Sequence, residues 1–169
     1  CKMQPEEATV FTEAVCALKE IGALLSWMKQ TGIYDTTKIV VVSDHGWYVD
    51  NPMFPPSFEK TLPKLEGWLS MPGIVHPLLL AKDFEARGNF RRSDTFLSNS
   101  DVPSMVCSAI EACTDVGSDP TKIDHLGRTL TFSLIRYPPE EVEAKKFDIV
   151  TTFEVKNSIF DPQNWRKIN

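Results

Sequence analysis

The stretch KIVVVSDHGW occupies residues 38–47 and predicts a buried strand that ends in polar and charged residues. Its first half contains four consecutive β-branched apolar side chains, a run that favours a strand covered on both faces. Asp44, His45 and Gly46 follow where that strand should end. In open α/β sheets ligands bind at the carboxyl ends of the strands, so a functional site is expected at this position.

The length, composition and charge of the chain indicate its broad class. Its 169 residues suffice for one domain with a core, and 42% hydrophobic and 24% charged residues are typical of a globular protein. The net charge is −5 and the longest basic cluster is Arg91 and Arg92, so no nucleic-acid partner is expected. No apolar run approaches the roughly 20 residues of a membrane span, and no secretory signal is visible. Because the chain opens at Cys1, just before a predicted helix, we interpret it as a piece of a longer protein.

The order of the predicted elements indicates an α/β fold. Residues 6–31 predict a long amphipathic helix that ends at Gly32 in the left-handed conformation. Strands are predicted at residues 38–43 and 75–81, and a second helix at residues 102–113. We therefore expect a mainly parallel sheet with helices on both faces. The predicted buried face of the first helix consists of Phe11, Ala14, Val15, Leu18, Ile21, Leu24, Leu25 and Met28.

Two further segments complete the expected layout. Residues 47–73 contain five prolines and five aromatic side chains, which predict a long loop. Such a loop either covers an active-site mouth or is a packed excursion at the surface. Residues 128–136 predict a strand, and residues 148–160 predict an antiparallel hairpin that turns at Lys156 and Asn157.

The four cysteines show no metal-type C-x-x-C pair. Cys16 and Cys113 fall on apolar helical faces and are interpreted as small core residues. On one continuous helix Cys107 and Cys113 would point roughly 120° apart and lie about 9 Å apart along the axis. A disulfide between them therefore requires the helix to end early. The spacing of the cysteines does not determine whether the protein resides in an oxidising or a reducing compartment.

The residues at the predicted strand end have the chemistry of metal ligands. Asp44 and His45 supply a carboxylate and an imidazole, which suit zinc or manganese. Adjacent side chains diverge on an extended strand, so both can face one ion only after a sharp turn, which Gly46 permits. A metal there would act as a Lewis acid on a phosphoryl or sulfuryl group. The same pair can also be a helix cap with a hydrogen-bonded histidine.

Four segments follow one another along the chain: MKQTGIYD at residues 28–35, YDTTKIVVVSDHG at residues 34–46, HPLLLAK at residues 76–82 and SNSDVPS at residues 98–104. This ordered set resembles the alkaline phosphatase superfamily, in the branch of sulfatases, lipoteichoic acid synthases and phosphoethanolamine transferases. The four segments are similar, in that order, to the family's helix end, its strand-and-ligand segment, its second strand and its Asp-x-x-Pro helix start. The similarity runs from about residue 13 to residue 110.

The resemblance implies a partial alkaline phosphatase-like fold and a function. Asp44 and His45 match two ligands of a divalent metal, which is zinc, manganese, calcium or magnesium in such enzymes. The implied enzyme is a hydrolase or phosphotransferase that acts on phosphate or sulfate esters and is membrane-anchored outside the cytoplasm, in the periplasm or at the cell surface. His76 stands where relatives have asparagine or an apolar residue, and we interpret it as a second-shell or structural residue. Asp101 and Pro103 match a structural helix start.

One departure from the family pattern limits what the chain can do alone. The family's nucleophile and its acidic metal ligands lie on an N-terminal segment that residues 1–169 do not contain, so no catalytic residue is assigned. The resemblance therefore implies the C-terminal part of a sulfatase-like catalytic domain, inactive in isolation. Its implied partners are the N-terminal part of the same domain and, through a segment outside this chain, a membrane. The alternative is a non-catalytic binding or structural domain that keeps the fold without a metal. His125 is interpreted as a surface residue.

Overall fold

The computed structural model describes residues 9–46, 71–108, 110, 119–122, 127–136 and 148–168. The chain divides into two compact units, one formed by Cys1–Ile39 and Ala81–Phe90 and the other by Val40–Leu80 and Arg91–Asn169. Within the described ranges no helix combines the length and the hydropathy that crossing a membrane requires. Most of the predicted proline-rich loop (residues 47–70), together with Cys1, Cys113 and His125, lies outside the described residues.

Helix α1 spans Val10–Gln30, and neighbouring residues in the sequence cap both of its ends. At the N-terminus the Thr9 and Thr12 hydroxyls each accept the other residue's backbone amide, which forms a capping box. At the C-terminus Gly32 adopts a φ of 77°, and the amides of Gly32 and Ile33 donate to carbonyls of the last turn. This is a Schellman motif, so the predicted glycine cap is confirmed.

The predicted buried face of α1 is wrong for most of its residues. Of the eight side chains in that face only Met28 is buried, whereas Phe11 is 75% exposed and Leu24 is 53% exposed. Cys16, on another side of the helix, is buried and disulfide-bonded. Apolar spacing identifies a stripe on a helix, but it does not show whether another element covers that stripe.

The prediction of a mainly parallel sheet with helices on both faces is also wrong. Strands β1 (Ile39–Val42) and β2 (Leu79–Lys82) form a two-stranded sheet. The amide of Ser43, just after β1, donates to the carbonyl of Leu78, just before β2, at 3.0 Å. The end of one strand therefore lies beside the start of the other, as in an antiparallel pair. Three β1 side chains are half-buried and the fourth is exposed, so the apolar run does not mark a strand covered on both faces.

In the first unit Lys82 stabilises the segment that leaves α1. Its ammonium group donates to the carbonyls of Asp35, Thr37 and Asp83 at 3.0–3.3 Å, which uses all three of its protons. The same nitrogen lies 4.6 Å from the centre of the Tyr34 ring, within the range of a cation–π interaction. These contacts order the turn that joins the helix to β1.

In the second unit the helical elements are short. Helix α2 spans Met71–Ile74, and helix α3 spans Val102–Cys107 after a 3-10 helix at Asn99–Asp101. The helix predicted at residues 102–113 therefore begins at the predicted residue, but it ends at Cys107, earlier than predicted. Cys107, the last residue of α3, is disulfide-bonded.

An ion pair between the buried Asp101 and the half-buried Arg128 stabilises the start of α3. Arg128 donates to the Asp101 carboxylate at 2.7 Å and to the Phe96 carbonyl at 3.0 Å. The other Asp101 oxygen accepts the Ser98 amide at 2.7 Å, so the carboxylate also caps the 3-10 helix. The structural role predicted for Asp101 agrees with these contacts.

The second unit also contains a three-stranded antiparallel sheet. Its strands are β3 (Thr129–Arg136), β4 (Asp148–Lys156) and β5 (Trp165–Lys167), in the order β3-β4-β5. The strand predicted at residues 128–136 is thus present as β3. On β4 the alternating residues Thr151, Phe153 and Val155 are almost completely buried. Together with Met105, they are the largest fully buried side chains among the described residues.

The turn after β4 lies where the sequence predicts it. Asn157 has a φ of 64°, a left-handed conformation that asparagine tolerates better than most residues. Its side-chain oxygen accepts the amide of Gly127, and its own amide donates to Arg128. The returning strand begins only at Trp165, later than the predicted hairpin, and the Trp165 ring packs on Phe153.

We predict that Asp101→Asn lowers the free energy of unfolding by about 2–4 kcal/mol, because it leaves Arg128 without its buried charge partner. Urea denaturation followed by circular dichroism measures the change. The control is Asp94→Asn, since Asp94 is exposed and pairs with Arg92 at 3.2 Å. An exposed pair of this kind contributes only about 0.2–1 kcal/mol. Equal losses in both variants would contradict the buried-pair assignment.

We also predict an acid-dependent loss of stability from the same carboxylate. Burial acts to raise the pKa of Asp101, but the hydrogen bonds and charge of Arg128, with the Ser98 bonds, lower it overall. A lowered folded-state pKa means that the stabilisation is complete above the unfolded-state pKa, and it is lost as the pH falls through the folded-state pKa. Urea midpoints should therefore fall more steeply below about pH 4 in the wild type than in Asp101→Asn. If the urea midpoints of the wild type and of Asp101→Asn fall in parallel with pH, the prediction is wrong.

Candidate metal centre

The candidate site is a turn at residues 43–46 that a neighbouring segment holds closely. The amide of Gly46 donates to the carbonyl of Ile74 at 2.7 Å. A Cβ atom at position 46 would lie 1.9 Å from the carbonyl oxygen of Gly73 and 2.7 Å from that of His76. Both are backbone atoms that cannot move aside, so only glycine fits at this position. The sequence predicts that Gly46 supplies backbone freedom for the turn, but its φ is not positive, and the close backbone approach is what requires glycine here.

Ser43 and Asn99 hold the other side of the turn. The Ser43 hydroxyl accepts the amide of Leu78 at 2.8 Å, beside the backbone bond between the same two residues. The Asn99 amide nitrogen donates to the carbonyls of Ser43 and Asp44 at 3.0 and 2.8 Å. Sequence reasoning missed Asn99, since an asparagine next to a predicted helix start resembles an ordinary cap.

The turn brings the side chains of Asp44 and His45 together. One Asp44 oxygen accepts the amide of His45 at 2.9 Å, and the other lies 3.6 Å from His45 Nε2. His45 Nδ1 lies 2.5 Å from the carbonyl oxygen of Gly46. Both side chains are accessible, with 87% of Asp44 and 51% of His45 exposed. The predicted juxtaposition of the carboxylate and the imidazole is present.

The contact with the Gly46 carbonyl favours one tautomer of His45. A carbonyl oxygen only accepts, so the contact is a hydrogen bond when Nδ1 carries the proton, and a neutral ring of this tautomer has its lone pair on Nε2. Metal-binding histidines commonly donate their second ring nitrogen to a carbonyl in this way. Two donors on one tetrahedral zinc ion lie about 3.4 Å apart, close to the observed separation of Asp44 and His45. The donor types and their spacing therefore fit a metal ion.

Among the described residues these two donors are not part of a larger ligand set. No group of three or more His, Cys, Asp or Glu side chains there could hold a metal ion. Stable zinc sites have three or four protein ligands. Any complete centre built on Asp44 and His45 therefore needs ligands from elsewhere.

His76 lies near the turn through its backbone, whereas its ring packs elsewhere. The ring meets Phe160 edge-on, with centroids 5.1 Å apart. Burial lowers the pKa of His76, and the positive charge of Arg92 lowers it further, which favours the neutral ring. Its carbonyl is one of the atoms that exclude a side chain at Gly46. His76 therefore supports the turn through its backbone and packs its ring on Phe160.

Comparisons with protein-family profiles, curated proteins and solved structures give no match to this chain. The resemblance to the alkaline phosphatase superfamily therefore stays a prediction that depends on the motifs alone. Two of those motifs have clear structural roles: SDHG forms the turn at residues 43–46, and SNSDVPS contains the capped start of α3.

We predict that Gly46→Ala lowers the free energy of unfolding by at least about 3 kcal/mol, because the new methyl group would overlap two backbone carbonyls. The matched control is Gly22→Ala inside α1, where no atom lies within 4 Å of the added Cβ. That control should raise stability by roughly 0.5–1 kcal/mol through helix propensity. Thermal and urea unfolding of both variants measure the difference, and a neutral Gly46→Ala would show that the turn is looser than described.

Proposed function

We propose that this chain contributes two ligands, Asp44 and His45, to the divalent metal centre of a hydrolase or phosphotransferase that acts on phosphate or sulfate esters. The main support is the hydrogen bond from His45 Nδ1 to the Gly46 carbonyl, which directs the ring's lone pair to Nε2. That nitrogen lies 3.6 Å from an Asp44 oxygen on an accessible turn. The proposed ion is zinc, manganese, calcium or magnesium.

The roles of the chain's own residues follow from the geometry. Asp44 and His45 would hold the ion from one side, while Gly46 and the carbonyls around it keep the backbone of the turn in place. When bound, such an ion acts as a Lewis acid that neutralises charge on a phosphoryl or sulfuryl group. The 87% exposure of the Asp44 carboxylate supports access for an ion and an ester substrate.

The remaining parts of the centre would come from outside the described residues. Two donors leave an ion mostly coordinated by water, and no nucleophile is assigned here. We therefore propose that the N-terminal part of the same domain supplies the other ligands and the attacking group. The isolated chain is then expected to bind metal weakly and to show no turnover, because positioning is a large part of such catalysis.

The cysteines support a location outside the cytoplasm. Cys16 and Cys107 are both disulfide-bonded, and no described cysteine is free. Disulfides persist in secreted, periplasmic and cell-surface proteins and are rare in the cytosol. This agrees with the proposal of an extracytoplasmic enzyme that a segment outside this chain attaches to a membrane.

The alternative is a non-catalytic domain in which the pair has only a structural role. It is favoured by the bond from the His45 amide to Asp44, which resembles a local cap. It is also favoured by the absence of a third ligand among the described residues. The two proposals differ in whether divalent ions bind selectively at the turn.

A paramagnetic titration tests the proposal on the full chain. Mn²⁺ should broaden the amide signals of residues 44–46 before all others in ¹H–¹⁵N spectra, even if binding is weak. Asp44→Asn should remove this selective broadening, because it removes the ligand charge. Asp94→Asn, at an exposed carboxylate outside residues 43–46, should leave it unchanged. Broadening spread evenly over the exposed carboxylates would reject the metal assignment and favour the structural alternative.

A further inference from the structure

One side chain connects the start of α3 to the proposed ligand pair. The Asn99 amide nitrogen donates to two successive carbonyls, those of Ser43 and Asp44, across 56 and 55 residues of sequence. A primary amide nitrogen has two protons, and each carbonyl takes one of them. Since carbonyls cannot donate, the nitrogen of the Asn99 amide, and not its oxygen, faces the turn.

This double contact requires a particular backbone shape. On an extended strand, successive carbonyls point to opposite edges, and successive side chains point to opposite faces. Two carbonyls can meet one nitrogen only if the peptide groups of Ser43 and Asp44 are turned to the same side. The side chains of Asp44 and His45, which would diverge on an extended strand, lie 3.6 Å apart at this turn.

Asn99 itself is held firmly. It is the first residue of the 3-10 helix that Ser98 and Asp101 cap, and Asp101 is bound by Arg128 at 2.7 Å. The Asn99 side chain is therefore attached to a fixed part of the second unit, although the residue itself is exposed. An attachment of this kind limits the freedom of the turn without covering the ligands.

We infer that Asn99 is a positioning residue, which holds the turn so that Asp44 and His45 present their donors to one point. The inference rests on the proposed metal function, but it also concerns the metal-free turn. Asparagine suits the task because aspartate has no proton to donate and serine has only one. The contacts that hold a metal ligand in place typically change metal affinity 10- to 100-fold when removed.

The test uses Asn99→Ala, which removes both donors without adding a charge beside the proposed cation. The matched control is Ser100→Ala in the same 3-10 helix, whose hydroxyl contacts Ser98. Two properties are measured on the full chain: the Mn²⁺ concentration that half-broadens residues 44–46, and the His45 tautomer in metal-free protein from long-range ¹H–¹⁵N spectra. We expect Asn99→Ala to raise that concentration roughly 10-fold or more and to remove the fixed Nδ1–H tautomer. Ser100→Ala should change neither.

A second variant separates position from stability. Asn99→Gln keeps both N–H groups on a longer side chain and should recover part of the tautomer preference. Wild-type affinity and tautomer in a folded Asn99→Ala would overturn the inference, as would equal changes in Ser100→Ala. If the wild type shows no selective Mn²⁺ broadening while Asn99→Ala still changes the tautomer, the metal function fails and the positioning role stands. The two failures are therefore distinguishable.

Discussion

The close approach of Gly46 to a neighbouring backbone is the constraint on which the second unit depends. The carbonyl oxygens of Gly73 and His76 occupy the space of a Cβ, and the Gly46 amide donates to Ile74. The chain therefore returns beside the end of β1, where it is about to begin β2. The antiparallel pairing of β1 and β2 follows from this return, because the second strand starts where the first one ends.

The same constraint explains how the exposed side chains of Asp44 and His45 can be ordered. Exposed side chains usually lose their positions to solvent, since fixing them costs conformational entropy. At residues 43–46 hydrogen bonds hold the backbone in place. Ser43 is hydrogen-bonded to Leu78 on one side, and Gly46 is hydrogen-bonded to Ile74 on the other. This backbone sets the relative position of the Asp44 and His45 side chains, which remain accessible to solvent. A rigid backbone beneath accessible donors is the arrangement that a metal centre needs.

A series of polar contacts connects this turn, through Asn99 and Asp101, to Arg128 in the second unit. Arg128, the residue just before β3, binds Asp101, which caps the 3-10 helix that contains Asn99. Asn99 then binds the carbonyls at the end of β1. The C-terminal sheet thereby contributes to the proposed site without placing a ligand in it. This explains why Asp101, which contacts no substrate in any proposal, is buried and strongly bonded.

Patterns that depend on neighbouring residues were readable from the sequence. The end of α1 at Gly32, the start of α3, the strand β3, the turn at Asn157 and the position of Asp44 and His45 after β1 all follow from local backbone and capping chemistry. Burial and strand direction were not readable, because each depends on which distant segment lies alongside. The stripe on α1 and the run IVVV are equally apolar whether covered or open, and Ser43 and Leu78 are 35 positions apart in the sequence, which allows either direction of pairing. Asn99 was missed for the same reason: its two acceptors are more than 50 residues away, and only the folded chain brings them within hydrogen-bond distance.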